Sequence, residues 1–178
     1  MSYKTIHFFV NVNETAQPNA VIDYAVEFAR REDAHLSSLV TAQRLDLGPI
    51  RILPLADAVA EQIDDERLAK AKTIAEHIEL TTRLAGVNAD CSLVHAAPDR
   101  ARKSVIAAAR LCDLVITAQP NNLLSSDEKL IENVMFNSGR PILVVPPSWQ
   151  SGPSLESVVV AWDGGAHAAR AVGDAAPY

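Results

Sequence analysis

Short apolar runs alternate along the chain with longer segments of helical pattern. The apolar runs, rich in β-branched and aromatic residues, lie at 5–12, 34–42, 89–96, 112–118 and 141–147. The helical segments, which contain neither Gly nor Pro, lie at 19–31, 55–85, 99–111 and 127–138. Near-continuous apolar strands are typical of parallel sheets that are covered on both faces. The sequence therefore predicts an α/β domain, a five-stranded parallel sheet with helices on both faces.

The end of the chain repeats the pattern of its beginning. Ser157–Asp163 reads SVVVAWD and Thr5–Asn11 reads TIHFFVN, each with a turn and a helical pattern after it. The two lie about one domain length apart. We predict a first domain at 1–147, a linker at 148–156 and, at 157–178, the buried first strand and the helix of a partial second repeat. The alternative is a sixth strand and a final helix of the same domain.

Composition and charge limit the classes of partner. Of the 178 residues, 48% are apolar and 21% charged, and the net charge is −6 with no cluster of Lys and Arg. This balance indicates a globular protein and argues against a nucleic-acid or membrane-surface partner. No apolar window is long enough for a signal peptide or a membrane span, and the two cysteines are read as reduced thiols, so we expect a cytoplasmic protein.

Three stretches resemble the universal stress protein family when they are taken together. They are CDLVITA at 112–118, SGRPILVVPP at 138–147 and VVVAWDGGAHAARAV at 158–172. The resemblance covers most of 1–147 and resumes at 157–178. It implies the adenine-nucleotide-hydrolase-like sheet of that family, in which many members carry two such domains in one chain.

The family often binds ATP through a glycine motif after the fourth strand, because glycine lets backbone N–H groups approach phosphates closely. Here residues 118–121 are Ala, Gln, Pro and Asn, and Asp127 and Glu128 stand near the position of the motif's Gly-Ser pair. Acidic side chains there would repel a triphosphate. The departure predicts a degenerate nucleotide site in the first domain.

Two further candidate positions come from the resemblance. Asn11 stands where nucleotide-binding members carry an Asp at the end of the first strand, and Asp163 keeps that Asp in the second copy. We therefore take Asn11 and Asp163 as the candidate cofactor-binding residues. ATP is the candidate cofactor, and a competent site would depend on the second repeat. Asp163 is equally explained as a turn residue before Gly164 and Gly165.

No pattern of a known catalytic class is present. The five histidines are scattered, which argues against a metal site, and Gly-x-Ser-x-Gly and Gly-x-Gly-x-x-Gly are absent. We expect a non-enzymatic stress-response protein that acts through dimerisation and partner contacts. The alternative is an adenine-nucleotide-binding module with slow hydrolysis.

The fifth strand is the expected dimer contact. It ends the first domain and is predicted to be a sheet edge, and exposed edges invite pairing. In the resembled family this strand commonly mediates dimers or pairs the halves of a tandem chain. We therefore expect a homodimer or pseudo-dimer through Pro141, Ile142, Leu143, Val144 and Val145.

Overall fold

A computed structural model describes residues 3–13, 18–45, 54–120, 126–149 and 157–176 of the chain. The strands are β1 (Thr5–Asn11), β2 (His35–Gln43), β3 (Ala89–Ala96), β4 (Leu114–Ala118) and β5 (Ile142–Val145). The helices are α1 (Asn19–Glu32), α2 (Pro54–Leu84), α3 (Pro98–Ala109), α4 (Ser126–Ser138) and α5 (Ala166–Ala175).

The five strands form one parallel sheet in the order β3-β2-β1-β4-β5. Each parallel connection contains a helix, as the crossover between parallel strands requires. The predicted fold class, a five-stranded parallel α/β sheet, is confirmed. The predicted strand bounds differ from the observed ones by two residues at most.

Alternate residues of the central strand β1 enter two separate cores. Ile6, Phe8 and Val10 pack in the larger core with α1 and α2, where Phe28 is fully buried. Phe9 packs in the smaller core against residues of α3 and α4. Burial on both faces explains why β1 reads as a continuous apolar run rather than as an alternating one.

The segment 157–163 differs from its prediction. It forms no strand in the structure, and all seven of its residues are exposed. Val159 is 95% exposed and Trp162 is 61% exposed. A strand needs a neighbour to accept and donate its backbone hydrogen bonds, and the described residues supply none here. The described residues therefore contain no sixth strand, and a second repeat that begins at 157 stays a prediction.

Candidate functional site

The strand order changes direction between β1 and β4. Chain connections run outward from this point to both edges of the sheet. In doubly wound sheets, ligands bind in the crevice that opens there, beyond the carboxyl ends of the strands. Asn11 ends β1 and Ala118 ends β4. The crevice is therefore where the fold itself places a candidate site.

Asn11 lies inside this end of the sheet. Asn11 is 1% exposed. Its side-chain Oδ1 accepts a long hydrogen bond, 3.4 Å, from the backbone N–H of Asn13. An amide can donate and accept hydrogen bonds but carries no charge. The side chain can therefore orient a polar ligand, but it supplies neither a general base nor a metal-binding carboxylate.

Asn13 joins the ends of β1 and β2. Its Nδ2 donates to the backbone oxygen of Gln43 at 3.0 Å, and its Oδ1 accepts from the backbone N–H of Gln43 at 3.1 Å. This reciprocal pair copies the hydrogen bonding of a strand ladder with a side chain. It fixes the position of the backbone beyond Asn11.

Three charged side chains of α2 hold the same strand ends. Asp64 Oδ1 accepts from the backbone N–H of Leu45 at 2.8 Å. Arg67 Nη1 donates to Gln43 O at 2.9 Å, and Lys70 Nζ donates to Val12 O at 3.0 Å. A spacing of three residues keeps successive side chains near one face of a helix. These three residues were not predicted from the sequence, although charges at every third position of a long helix were the available signal.

The end of β4 does not offer the backbone that a glycine motif would. The N–H of Gln119 donates to Val145 O at 2.8 Å, so it is used within the sheet. Pro120 has no N–H. Asn121 and the side chain of Asp127 lie outside the described residues. The two described positions after β4 therefore present no backbone donor to a phosphate.

Asp163 occupies a turn of its own. It is exposed, and its Oδ1 accepts from the N–H of Gly165 at 2.7 Å. Gly164 between them has a φ of 78°, in the left-handed region that glycine adopts readily. Asn11 is buried in the sheet, whereas Asp163 is exposed in this turn.

A second polar group crosses the sheet nearer its amino end, on the face towards α3 and α4. His7 of β1 is in register with Ser37 of β2, which is in register with Asp90 of β3. Asp90 Oδ2 accepts from Ser37 Oγ at 3.2 Å, and its Oδ1 contacts His35 Nε2. The carboxylate therefore lies between the hydroxyl and the imidazole, whereas a Ser-His-Asp triad places the imidazole in the middle.

His7 is the most buried member of this row, at 1% exposure. Neither of its ring nitrogens has a hydrogen-bond partner of good geometry within the part of the chain that the structure describes. Burial lowers the pKa of His7 to about 4, with weaker opposing contributions from the backbone of Ser37 and the Asp90 carboxylate. The ring is therefore neutral near pH 7, with its two nitrogens held away from water.

An apolar groove of about 540 Å³ lies beside β5. Its lining includes Tyr24 of α1, Leu143 to Pro146 of β5 and its end, and Trp149, and the tail closes it with Val158 and Ala175. The Tyr24 and Trp149 rings meet edge to face with centroids 5.6 Å apart. The predicted dimer strand therefore forms one wall of an apolar surface.

The described residues contain neither a metal-binding cluster nor a membrane-spanning helix. No group of three or more His, Cys, Asp and Glu side chains is arranged there to hold a metal ion. None of the helices within those same ranges has the length and apolar character needed to cross a membrane.

Comparison with solved structures shows which proteins have a similar fold. Universal stress protein UspA from Lactobacillus plantarum superposes with a TM-score of 0.62 at 17% identity, covering 82% of this chain and 99% of that one. A member of the universal stress protein family from Burkholderia pseudomallei gives 0.58 at 16% identity, covering 81% and 96%. No family model matches the chain, and no curated protein matches it. At these identities the likeness shows that the chain has the fold of universal stress proteins.

Proposed function

We propose that this chain is a non-enzymatic, cytoplasmic stress-response protein of the universal stress type, which acts by pairing through the edge strand β5. The observation that carries the proposal is that, among the residues that the structure describes, β5 has a hydrogen-bonded neighbour, β4, on one side only. Its residue Val144 is 42% exposed. An open edge beside an apolar groove is the kind of surface on which a second strand can add.

The backbone geometry of β5 indicates which groups would pair. The carbonyls of Pro141 and Val145 accept hydrogen bonds from β4. Because successive backbone groups of a strand point to opposite sides, those of Ile142 and Val144 face away from β4. These are the donors and acceptors that a second β5 strand would meet.

A non-enzymatic role is supported by the chemistry of the buried polar groups. Asn11 carries no titrating group, and burial raises the pKa of the Cys112 thiol to about 11. A thiol that is protonated near neutral pH is a weak nucleophile. The second thiol, Cys91, also has its pKa raised, mainly by burial.

Replacing Val144 by Pro tests the pairing directly. Proline removes the outward N–H and leaves the hydrogen bonds from β4 to Pro141 and Val145 in place, since edge strands tolerate proline. We expect Val144→Pro to convert a dimer into a monomer in sedimentation experiments. Val144→Ala keeps the N–H and is the matched control, expected to remain dimeric.

Val144→Lys provides a second test should the proline variant fold poorly, because a lysine on an edge strand opposes pairing while the backbone is retained. A dimer that persists in both Val144→Pro and Val144→Lys, with normal circular dichroism, would contradict the proposal. The same holds for a wild-type chain that stays monomeric.

A second candidate function is adenine-nucleotide binding, the alternative favoured by the carboxyl end of the sheet. The buried amide of Asn11 and the Asn13–Gln43 pair gather polar groups at the crevice where the fold binds ligands. Calorimetry with Mg-ATP separates the two functions. Micromolar binding of Mg-ATP would favour the nucleotide-binding function over the function in pairing through β5.

The tail supports a proposal about domain organisation. We take residues 157–178 to be the first unit of a second copy of the fold, since the described α5 buries no residue and Val159 and Trp162 are exposed. A second sheet would cover these side chains. The intact mass of the protein from its native cells tests this. A mass above 19.2 kDa by about one further domain, roughly 150 residues, is expected, and 19.2 kDa itself would contradict it.

A further inference from the structure

Three basic side chains lie around the carboxyl ends of β1 and β2, and two of them pair with one carboxylate. Arg44 follows β2, and Arg67 and Lys70 come from α2. We call these three residues the basic edge. The Asp64 carboxylate lies 3.5 Å from Arg44 Nε and 3.8 Å from Arg67 Nη1. The group carries three positive charges and one negative charge, although the chain as a whole has a net charge of −6.

Two members of the basic edge are held in place by hydrogen bonds to the backbone. Arg67 and Lys70 each donate to a backbone carbonyl at the end of a strand, Gln43 O and Val12 O. Asp64 is 8% exposed and is itself fixed by the N–H of Leu45. Because these contacts join a long helix to the sheet, the charges are positioned before any ligand arrives, which lowers the entropic cost of binding.

Within the part of the chain that the structure describes, Arg67 and Lys70 each keep N–H groups that a ligand can use. A lysine ammonium has three N–H groups and an arginine guanidinium five, and each has one hydrogen bond to a strand end. Glu66 lies one helical turn before Lys70, but its Oε1 accepts from Gln62 Nε2 at 3.1 Å. Lys70 and Arg44 are exposed, so a solute reaches them.

We propose that the basic edge binds the phosphate group of a small ligand at the carboxyl end of β1 and β2. Charge-assisted N–H···O bonds from arginine and lysine are the strongest that a phosphate accepts. The phosphate is held by side chains of α2 and therefore needs no glycine-rich backbone after β4. This site is independent of pairing through β5.

Calorimetric titration of the chain with inorganic phosphate and with adenosine monophosphate tests the site. We expect both anions to bind, more weakly as the salt concentration rises. Arg67→Gln and Lys70→Gln should each weaken binding by about tenfold, the loss of one charge-assisted contact. Lys70→Arg keeps the positive charge and should bind both anions about as tightly as the wild type does. Arg170→Gln removes an exposed cation of α5 that pairs with Asp174, and it should bind like the wild type.

The source of the phosphate follows from comparing the two titrants. Tighter binding of adenosine monophosphate than of inorganic phosphate identifies a nucleotide ligand, and equal affinities identify a site for phosphate itself. Both results support the basic edge. Absence of binding at millimolar concentration overturns it, as does equal weakening by Arg170→Gln and Lys70→Gln. Neither of these results bears on pairing through β5, which the Val144 variants test separately.

Discussion

Lowering the pH from 7 to 4 is expected to destabilise the folded chain by about 3 kcal/mol through His7 alone. The pKa of His7 is about 4 in the folded chain and about 6.5 when the chain is unfolded. Between these values the unfolded chain binds more protons than the folded one. The free energy of unfolding therefore falls as the pH falls through this window, and above the unfolded pKa the contribution of His7 is constant.

Urea denaturation at several pH values measures this effect. The variant His7→Leu removes the buried imidazole and should flatten the curve between pH 6.5 and 4. The matched control is His77→Asn, because His77 is exposed on α2 and should leave the wild-type slope unchanged. Equal pH slopes for wild type and His7→Leu would show that His7 is not the buried, neutral group described above.

Truncating Phe28 to alanine should cost about 3–5 kcal/mol of folding stability. Phe28 is fully buried, and its ring lies 5.7 Å from that of Tyr3 and 6.1 Å from that of Tyr24. The guanidinium of Arg31 lies 4.9 Å from the ring centroid. Removal of the ring leaves a cavity between α1 and the sheet and ends all three contacts.

The exposed Phe136 provides the matched control. It is 77% exposed, so Phe136→Ala should change the free energy of unfolding by less than about 0.5 kcal/mol. Chemical denaturation of both variants gives the comparison. Similar losses from the two substitutions would contradict the assignment of Phe28 to the core that joins α1 to the sheet.

The sheet was predictable because its signal is local. The central strand β1 (Thr5–Asn11) is buried between β2 and β4, so its apolar character is visible in seven residues of sequence, and the helices between the strands follow from composition. The tail at 157–163 has the same composition, yet it forms no strand. Strand propensity describes how a residue fits a sheet, and the described part of this chain offers that segment no partner strand.

The candidate site was predictable only in part. Asn11 could be placed because it ends a strand, and strand ends meet at one edge of a parallel sheet. The contacts of Arg67 with Gln43 and of Lys70 with Val12 join residues that lie 24 and 58 positions apart. Such contacts depend on how α2 crosses the sheet, which no local pattern specifies. The isolation of His7 inside the smaller core likewise follows from the packing of α3 and α4 on the sheet.

Amide hydrogen exchange at β5, followed as a function of protein concentration, tests the central claim most directly. The N–H groups of Ile142 and Val144 face away from β4, so they should exchange quickly in dilute solution and become protected as the chains pair. The inward N–H of Leu143 is the internal reference and should change little. If exchange at Ile142 and Val144 stays fast while the protein is shown to dimerise, the chains pair through another surface and the account of β5 is wrong.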